Sequence, residues 1–275
     1  MNNLLHNLRQ SLVNATNPLF LIAIIFLLTF SSCTKSEDAV NQPKLLSKLV
    51  EVASDNSVKA TTFIYDGNKI VSTDSADKHA IYIYNNDLIT QIVILDKVTL
   101  LQSVLNYSYT NEMLVKVVSS DHYEINFTHN EDGSVSYEKH TTDANNNIIT
   151  LYSGTMTFQN GNLIEDERTL GGTPANIVSK SIMTYQYDAK TNPMQNIIGY
   201  SKLLDTFKSI SINNVTKTQV ESRLEYLDTN QISSSDVLYV SVNQYDADGY
   251  PATITSGTTF FGEQSSNHIK TQLFY

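Results

Sequence analysis

The side chains able to do chemistry in this chain are few, and their spacing argues against most reactions. Cysteine occurs once, at Cys33, within "FLLTFSSCTKSED". A lone thiol can be a nucleophile, a metal ligand, a core residue or an attachment point. In the hairpin "HYEINFTHNEDGSVSYEKH", His140 is expected opposite Glu124, with His122 diagonal to it. Imidazole and carboxylate at such distances could ligate a transition metal. A hydrated polar face accounts for them as well, and no metal site is expected. "DADG" at 246–249 has the turn chemistry of a calcium loop. Aligning Gly249 with the loop glycine, however, puts Gln244 at the first ligand position and Thr255 where a bidentate Glu belongs. "LYSGT" (151–155) is not a nucleophile elbow. Asp and Glu concentrate in predicted turns and polar faces, so no carboxylate pair for glycoside hydrolysis stands out. Phosphate-loop and dinucleotide fingerprints are missing too. The expectation is a non-enzymatic protein without a cofactor.

The neighbours of Cys33 decide among its roles. Residues 1–17 carry Arg9 and no acid, and "PLFLIAIIFLLTF" then runs to Phe30. A helix of about a dozen residues spans about 18 Å, short of the roughly 30 Å hydrocarbon core of a bilayer. That length suits the apolar region of a signal peptide. Ser31 and Ser32 follow, directly before Cys33. The arrangement resembles a bacterial lipoprotein signal, with Phe30 where leucine is commoner. The resemblance implies cleavage before Cys33, diacylation of its thiol and acylation of the new amine by fatty acids such as palmitate. Several acyl chains anchor a protein stably where one does not. A thiol used in this way cannot be a nucleophile.

"TKSEDAVNQPK" follows, polar and proline-bearing, with too little apolar surface to fold. Its Lys35–Asp38 run resembles the short acidic export signals of Bacteroidota lipoproteins, which implies display on the outer face of the outer membrane. The expected organisation is a signal peptide at 1–32, a flexible tether at 33–44 and a single domain at 45–275.

Without residues 1–32 the chain has 243 residues and a net charge of −11. Such an acidic surface cannot neutralise phosphates, so no nucleic-acid partner is expected. With no second cysteine there is no disulfide framework, and core burial must hold the fold. The chain has 16 Tyr and 10 Phe but no Trp; with abundant Ile, Val and Thr this composition favours strands.

A loose unit recurs: an aromatic ending a strand, a short Asp/Asn/Gly turn, then an aliphatic strand. The aromatics are Tyr65, Tyr84, Tyr109, Phe127, Phe158, Tyr187, Tyr226 and Tyr245. Their spacing is too irregular for a strict solenoid and suits a meander of hairpins. Asp66-Gly67 and Asn160-Gly161 can supply the positive φ values of two-residue hairpin turns. A three-residue Glu131-Asp132-Gly133 loop with Gly133 left-handed puts Phe127 opposite Tyr137 and His129 opposite Val135, gathering apolar residues on one face. "DLITQIVILD" (87–96) is apolar on both faces, as in a covered or curled sheet. Between 196 and 214, Ile197, Tyr200, Leu204 and Phe207 recur at three to four residues, which predicts a short helix or irregular plug. The fold class expected is all-β: a long antiparallel meander forming a twisted, partly curled sheet.

"YQYDAKTNP" (185–193) and "YDADGYPATIT" (245–255) resemble the YD-repeat motifs of lipid-anchored Bacteroidota proteins of unknown function. The resemblance implies successive hairpins and brings no catalytic residues with it. The functional expectation is therefore an envelope lipoprotein serving as a binding or structural module. Its partners would be the membrane, through acyl chains on Cys33, and a glycan, peptide or envelope protein. One alternative is a carrier sheltering an apolar ligand in the curled sheet; a hydrolase is another. A plug filling the core would count against the first, and a sheet without converging carboxylates or histidines against the second.

Overall fold

The computed structural model of the chain describes residues 44–260 and 263–275, with the side chains of 207–209 and 259–267 outside the description. The segment 1–32, Cys33 and the tether through residue 43 also lie outside the described residues. The fold is all-β, with strands β1 (Lys48–Val52), β2 (Val58–Asp66), β3 (Lys69–Ser75), β4 (Lys78–Asn85), β5 (Leu88–Asp96), β6 (Gln102–Thr110), β7 (Met113–Ser119) and β8 (Tyr123–His129). They continue as β9 (Val135–Thr142), β10 (Ile148–Gln159), β11 (Asn162–Leu170), β12 (Ile177–Thr191), β13 (Asn213–Tyr226), β14 (Gln231–Tyr245), β15 (Pro251–Phe260) and β16 (Glu263–Phe274). Each strand pairs antiparallel with its sequence neighbours, and β1 pairs with β16 from Lys48↔Phe274 to Val52↔Lys270. The expected curl thus runs to completion as a closed 16-stranded barrel, and closure removes both sheet edges.

The recurring aromatics have a specific structural place. Tyr65, Tyr84, Tyr109, Phe158, Tyr187 and Tyr245 each follow a shift in register, because the facing strand carries one extra residue. Tyr65 opposes Ile70 while Ile64 opposes Ser72, leaving Val71 as the extra residue. Thr90, Val115, Ile164, Thr216 and Ala252 occupy the same place in the other hairpins. Bulges bend a strand and add twist, which a closing sheet needs. The aromatic behind each bulge turns inward, and several of the tyrosines donate to a backbone carbonyl: Tyr65 to Leu46 O (2.8 Å) and Tyr109 to Ile89 O (2.8 Å). Tyr187 does the same to Leu163 O (2.5 Å). Phe127 and Tyr226 depart from this pattern: Phe127 precedes the three-residue loop, and Tyr226 ends β13 at the other end of the barrel.

The predicted register of the 123–141 hairpin is the observed one, with Phe127↔Tyr137, His129↔Val135 and Glu124↔His140. Gly133 has φ +84°. Asn160 and Gly161 are both left-handed, as a two-residue turn between Gln159 and Asn162 requires. At the first hairpin the turn sits one residue later than expected. Asp66 still pairs with Lys69, and the turn is Gly67-Asn68.

One end of the barrel is filled. The β12–β13 connection folds into three 3-10 turns, Pro193–Asn196, Tyr200–Lys202 and Leu204–Ile210, which is the irregular plug expected there. Asn192 caps the first turn by accepting from the Met194 amide at 3.0 Å. Ile197, Leu203, Leu204 and Ile210 are buried against Ile70, Ile89, Leu114, Val117, Met156 and Leu163 of the wall. Burying each such side chain is worth about 1.5–3 kcal/mol. Lys44 and the C-terminal Tyr275 meet at this same end. Lys44 reaches Asp246 at 2.5 Å and Asp248 at 2.9 Å, and stands over the rings of Tyr250 and Tyr275. The two YD motifs are tied together as well, since the Tyr245 hydroxyl donates to Asp188.

The two faces of the wall differ in character. Alternation from the buried Ile125, Tyr137 and Tyr185 fixes which residues point out. One cross-strand row on the outside reads Ser108, Lys116, Asn126, Glu138, Ser153, Thr169, Lys180, Arg223 and Ser234. It runs from β6 to β14 without an apolar residue. Outward apolar residues lie above and below it, with Ile64, Ile81, Ile83 and Val118 exposed on β2 to β7 and Ile232, Val240 and Val242 on β14.

Candidate functional site in the barrel interior

Beyond the plug the inner wall opens to solvent. Leu224, Tyr239 and Ile269 point inward by register, yet they are 38%, 43% and 45% exposed. Hydroxyls line this half: Ser181, Ser222 and Ser235 lie in one inward row, and Ser241 faces Ser256 at 3.0 Å. This surface is not the continuous apolar face that a lipid carrier needs, and the plug occupies the core at the other end. Both findings count against the carrier alternative.

Between plug and open half lies a cluster of charges and tyrosines. Asp166 on β11 is fully buried. It accepts from the Tyr137 hydroxyl and from Arg168, whose Nη2 lies 2.6 Å and Nε 2.9 Å from Oδ2. Arg168 Nε also donates to Tyr137 Oη at 2.8 Å, and its guanidinium lies 5.2 Å from the Tyr152 ring centre. Gly154 makes this packing possible, because a Cβ there would sit 2.6 Å from Tyr137 Oη.

Next along the wall, Lys139 on β9 points inward opposite Ile125. Its ammonium stands 3.6 Å from the Tyr123 ring centre and 5.8 Å from that of Tyr152, a cation–π arrangement. Burial, followed by the nearby charge of Arg168, holds Lys139 below the usual lysine range. The plug contributes Asp205, whose Oδ2 accepts from the Tyr107 hydroxyl at 3.0 Å. Its Oδ1 is buried without a hydrogen-bond partner. Burial, offset only in part by the Tyr107 hydrogen bond, raises the Asp205 carboxyl above the usual carboxylate range.

The residues singled out from the sequence lie elsewhere. Glu124, Asn126 and Thr128 share the outer face of β8, whereas His122, expected on the same polar face, precedes the strand in a left-handed conformation. Glu124 pairs with Lys116 at 2.7 Å, and His140 lies 3.2 Å from Glu138. No group of three or more potential metal ligands forms among the described residues. Asp246 holds Lys44 and accepts from the Asp248 and Tyr250 amides, so "DADG" is a turn. A groove of about 490 Å³ crosses the outer face of β8–β11, lined by Asn126, Thr128, Glu138, Ser153, Thr155 and Glu167 among others. Its two carboxylates are exposed and face His140 and Lys180, so neither is the desolvated acid that glycoside hydrolysis requires. Inside, Asp205 is desolvated, but Asp166 is neutralised by Arg168.

Sequence reasoning missed the interior cluster. Its signal for Lys139 was available: a register that puts Tyr137 inward puts Lys139 inward too. For Asp166 and Arg168 it was hidden by the bulge at Ile164, which reverses the face of "EDER". Counting onward from the buried Leu163 would turn Glu165 and Glu167 inward. The extra residue turns them outward and brings Asp166 and Arg168 in.

Sixteen antiparallel strands closed into a barrel with an internal plug define the class of protein. Within it, the chain is similar to a porin-like protein from Bacteroides vulgatus, with 14% identity over 84% of this chain and 98% of that one and a TM-score of 0.52. A porin-like protein from Bacteroides uniformis is 11% identical over 83% of this chain and 97% of that one, with a TM-score of 0.48. At 14% identity the likeness to the first is one of fold. No protein-family model and no curated protein matches the chain.

Proposed function

We propose that the protein is an outer-membrane lipoprotein, anchored by acyl chains on Cys33, whose barrel stands outside the bilayer as a non-enzymatic binding module. The observation that carries this reading is the polar outer row from Ser108 on β6 to Ser234 on β14. A barrel that crosses a membrane presents an apolar band roughly 25 Å tall to lipid, and a Lys or Arg at its midplane costs about 2–4 kcal/mol. Lys116, Glu138, Lys180 and Arg223 on the outer wall count against such a band. The core lies inside the wall, as in a protein surrounded by water.

A barrel of this kind needs a separate device to stay at a membrane. The lipoprotein-like signal before Cys33 supplies one, and the acidic run after it favours display at the cell surface. The tether joins the domain at Lys44, beside the plug, which leaves the open half of the barrel at the end remote from the point of attachment. The resemblance to YD-repeat lipoproteins and the inward, solvent-open Tyr and Ser side chains support a binding role. Metabolic labelling with an alkyne palmitate tests the anchor. Label on the wild-type chain and none on Cys33→Ala is expected, whereas a labelled Cys33→Ala chain would overturn the assignment.

A further inference from the structure

We propose that the barrel interior above the plug binds an acidic saccharide, with Lys139 pairing its carboxylate and Asp205 Oδ1 hydrogen-bonded to one of its hydroxyls. This rests on the reading of the domain as a binding module and names its site and ligand class. Two costs meet at one place. Lys139 projects from the apolar face of β9 onto the rings of Tyr123 and Tyr152 and, among the described residues, makes no hydrogen bond or ion pair; the carboxylate whose charge acts on it is that of Asp205. Asp205, close enough for its charge and that of Lys139 to act on each other, keeps one carboxylate oxygen shielded from water and unpartnered. Each arrangement is unfavourable, since Asp205 Oδ1 loses its hydration without a partner and the partly buried Lys139 has only ring faces in exchange for part of its own. Leucine at 139 and asparagine at 205 would suit a purely structural interior better.

One ligand can satisfy both groups only if it carries an anionic group and a hydroxyl. A neutral sugar leaves Lys139 unpaired. A bare anion such as phosphate leaves Asp205 Oδ1 unpaired and repels it. Arg168 is already committed to Asp166 and Tyr137, so of the two cations described in this cluster Lys139 is the one that can turn to a ligand. The rings of Tyr123 and Tyr152 offer apolar faces to the C–H side of a pyranose. Ser181, Ser222 and Ser235 on the solvent-open wall provide hydroxyl partners for further sugar units.

The test uses the full chain purified in detergent, with calorimetric titration of trigalacturonate, a neutral galactose trimer and inorganic phosphate. Saturable binding of trigalacturonate is expected, weakened at least tenfold in Lys139→Met and largely recovered in Lys139→Arg. Trigalacturonate should also slow acetylation of Lys139 relative to Lys180, a measurement that needs no variant to fold. Three results would overturn the site: no saturable binding of trigalacturonate, equal affinity in Lys139→Met, or phosphate competing as well as the acidic trimer. Binding of the neutral trimer alone, unchanged by Lys139→Met, would also overturn it while leaving the broader binding-module reading intact.

Discussion

Tyr137 on β9 donates its phenol to the fully buried carboxylate of Asp166 on β11, and Arg168 grips both from the open side. The three form a closed unit in which each polar atom compensates another. Removing Asp166 or Arg168 leaves the other's charge behind in the wall, at a cost of about 3–5 kcal/mol for a buried pair. Asp166→Ala should therefore lower the denaturation midpoint far more than Glu138→Ala on the outer face. Chemical denaturation of the two variants checks this, and equal effects would contradict it.

Gly154 serves the same unit sterically. A Cβ at this position would lie 2.6 Å from both the Tyr137 side chain and the Glu167 carbonyl oxygen. Gly154→Ala should destabilise by about 1–3 kcal/mol, as overpacking does. Coupling follows as well: in a Tyr137→Leu background the same substitution should cost less. A double-mutant cycle with no coupling would show that the glycine is needed for another reason.

Asp205 gives a pH dependence of unusual sign. A carboxyl whose folded pKa is raised contributes its full stability below the unfolded value, about 3.9. That contribution is lost as pH rises through the higher folded value. Asp205→Asn keeps an acceptor for Tyr107 and removes the ionisation. Its melting temperature should exceed that of the wild type at pH 7, with the difference closing toward pH 4. A variant less stable than the wild type at pH 7 would contradict this account.

Lys44, just before β1, is tied to the β14–β15 turn through Asp246 and Asp248. Burial pushes Asp246 up, but the Lys44 hydrogen bond and the Tyr250 and Asp248 amides outweigh it and hold the carboxyl below its usual range. Stability from this pair is present above pH about 4 and is lost as pH falls through the depressed value. The pair is partly exposed, so Lys44→Met should cost under about 1 kcal/mol. Hydrogen exchange at the β1–β16 seam should rise in the variant more than exchange at β8–β9. Uniform change across the barrel would contradict a local clasp.

How far the sequence discloses this molecule follows from the range of each interaction. The 123–141 hairpin is legible because a three-residue loop ending in Gly133 sorts Phe127 and Tyr137 onto one face. The plug is legible as a break in strand periodicity around Ile197, Leu204 and Phe207, although the side chain of Phe207 lies outside the described residues. Closure is not, because Lys48 meets Phe274 across nearly the whole chain and nothing local to either strand names its partner. The interior site is hidden for a different reason. One extra residue at Ile164 exchanges the faces of β11, so an acidic-basic run that reads as solvated surface supplies a buried ion pair.

Fractionation of cells expressing Cys33→Ala tests the central claim most directly, because the proposal gives the barrel no hold on a bilayer apart from the acyl chains. The variant is expected in the soluble fraction, folded, with the wild type in the membrane pellet and released only by detergent. A Cys33→Ala barrel that stays in the pellet after alkaline extraction would contradict the account, since the wall itself would then be holding the membrane.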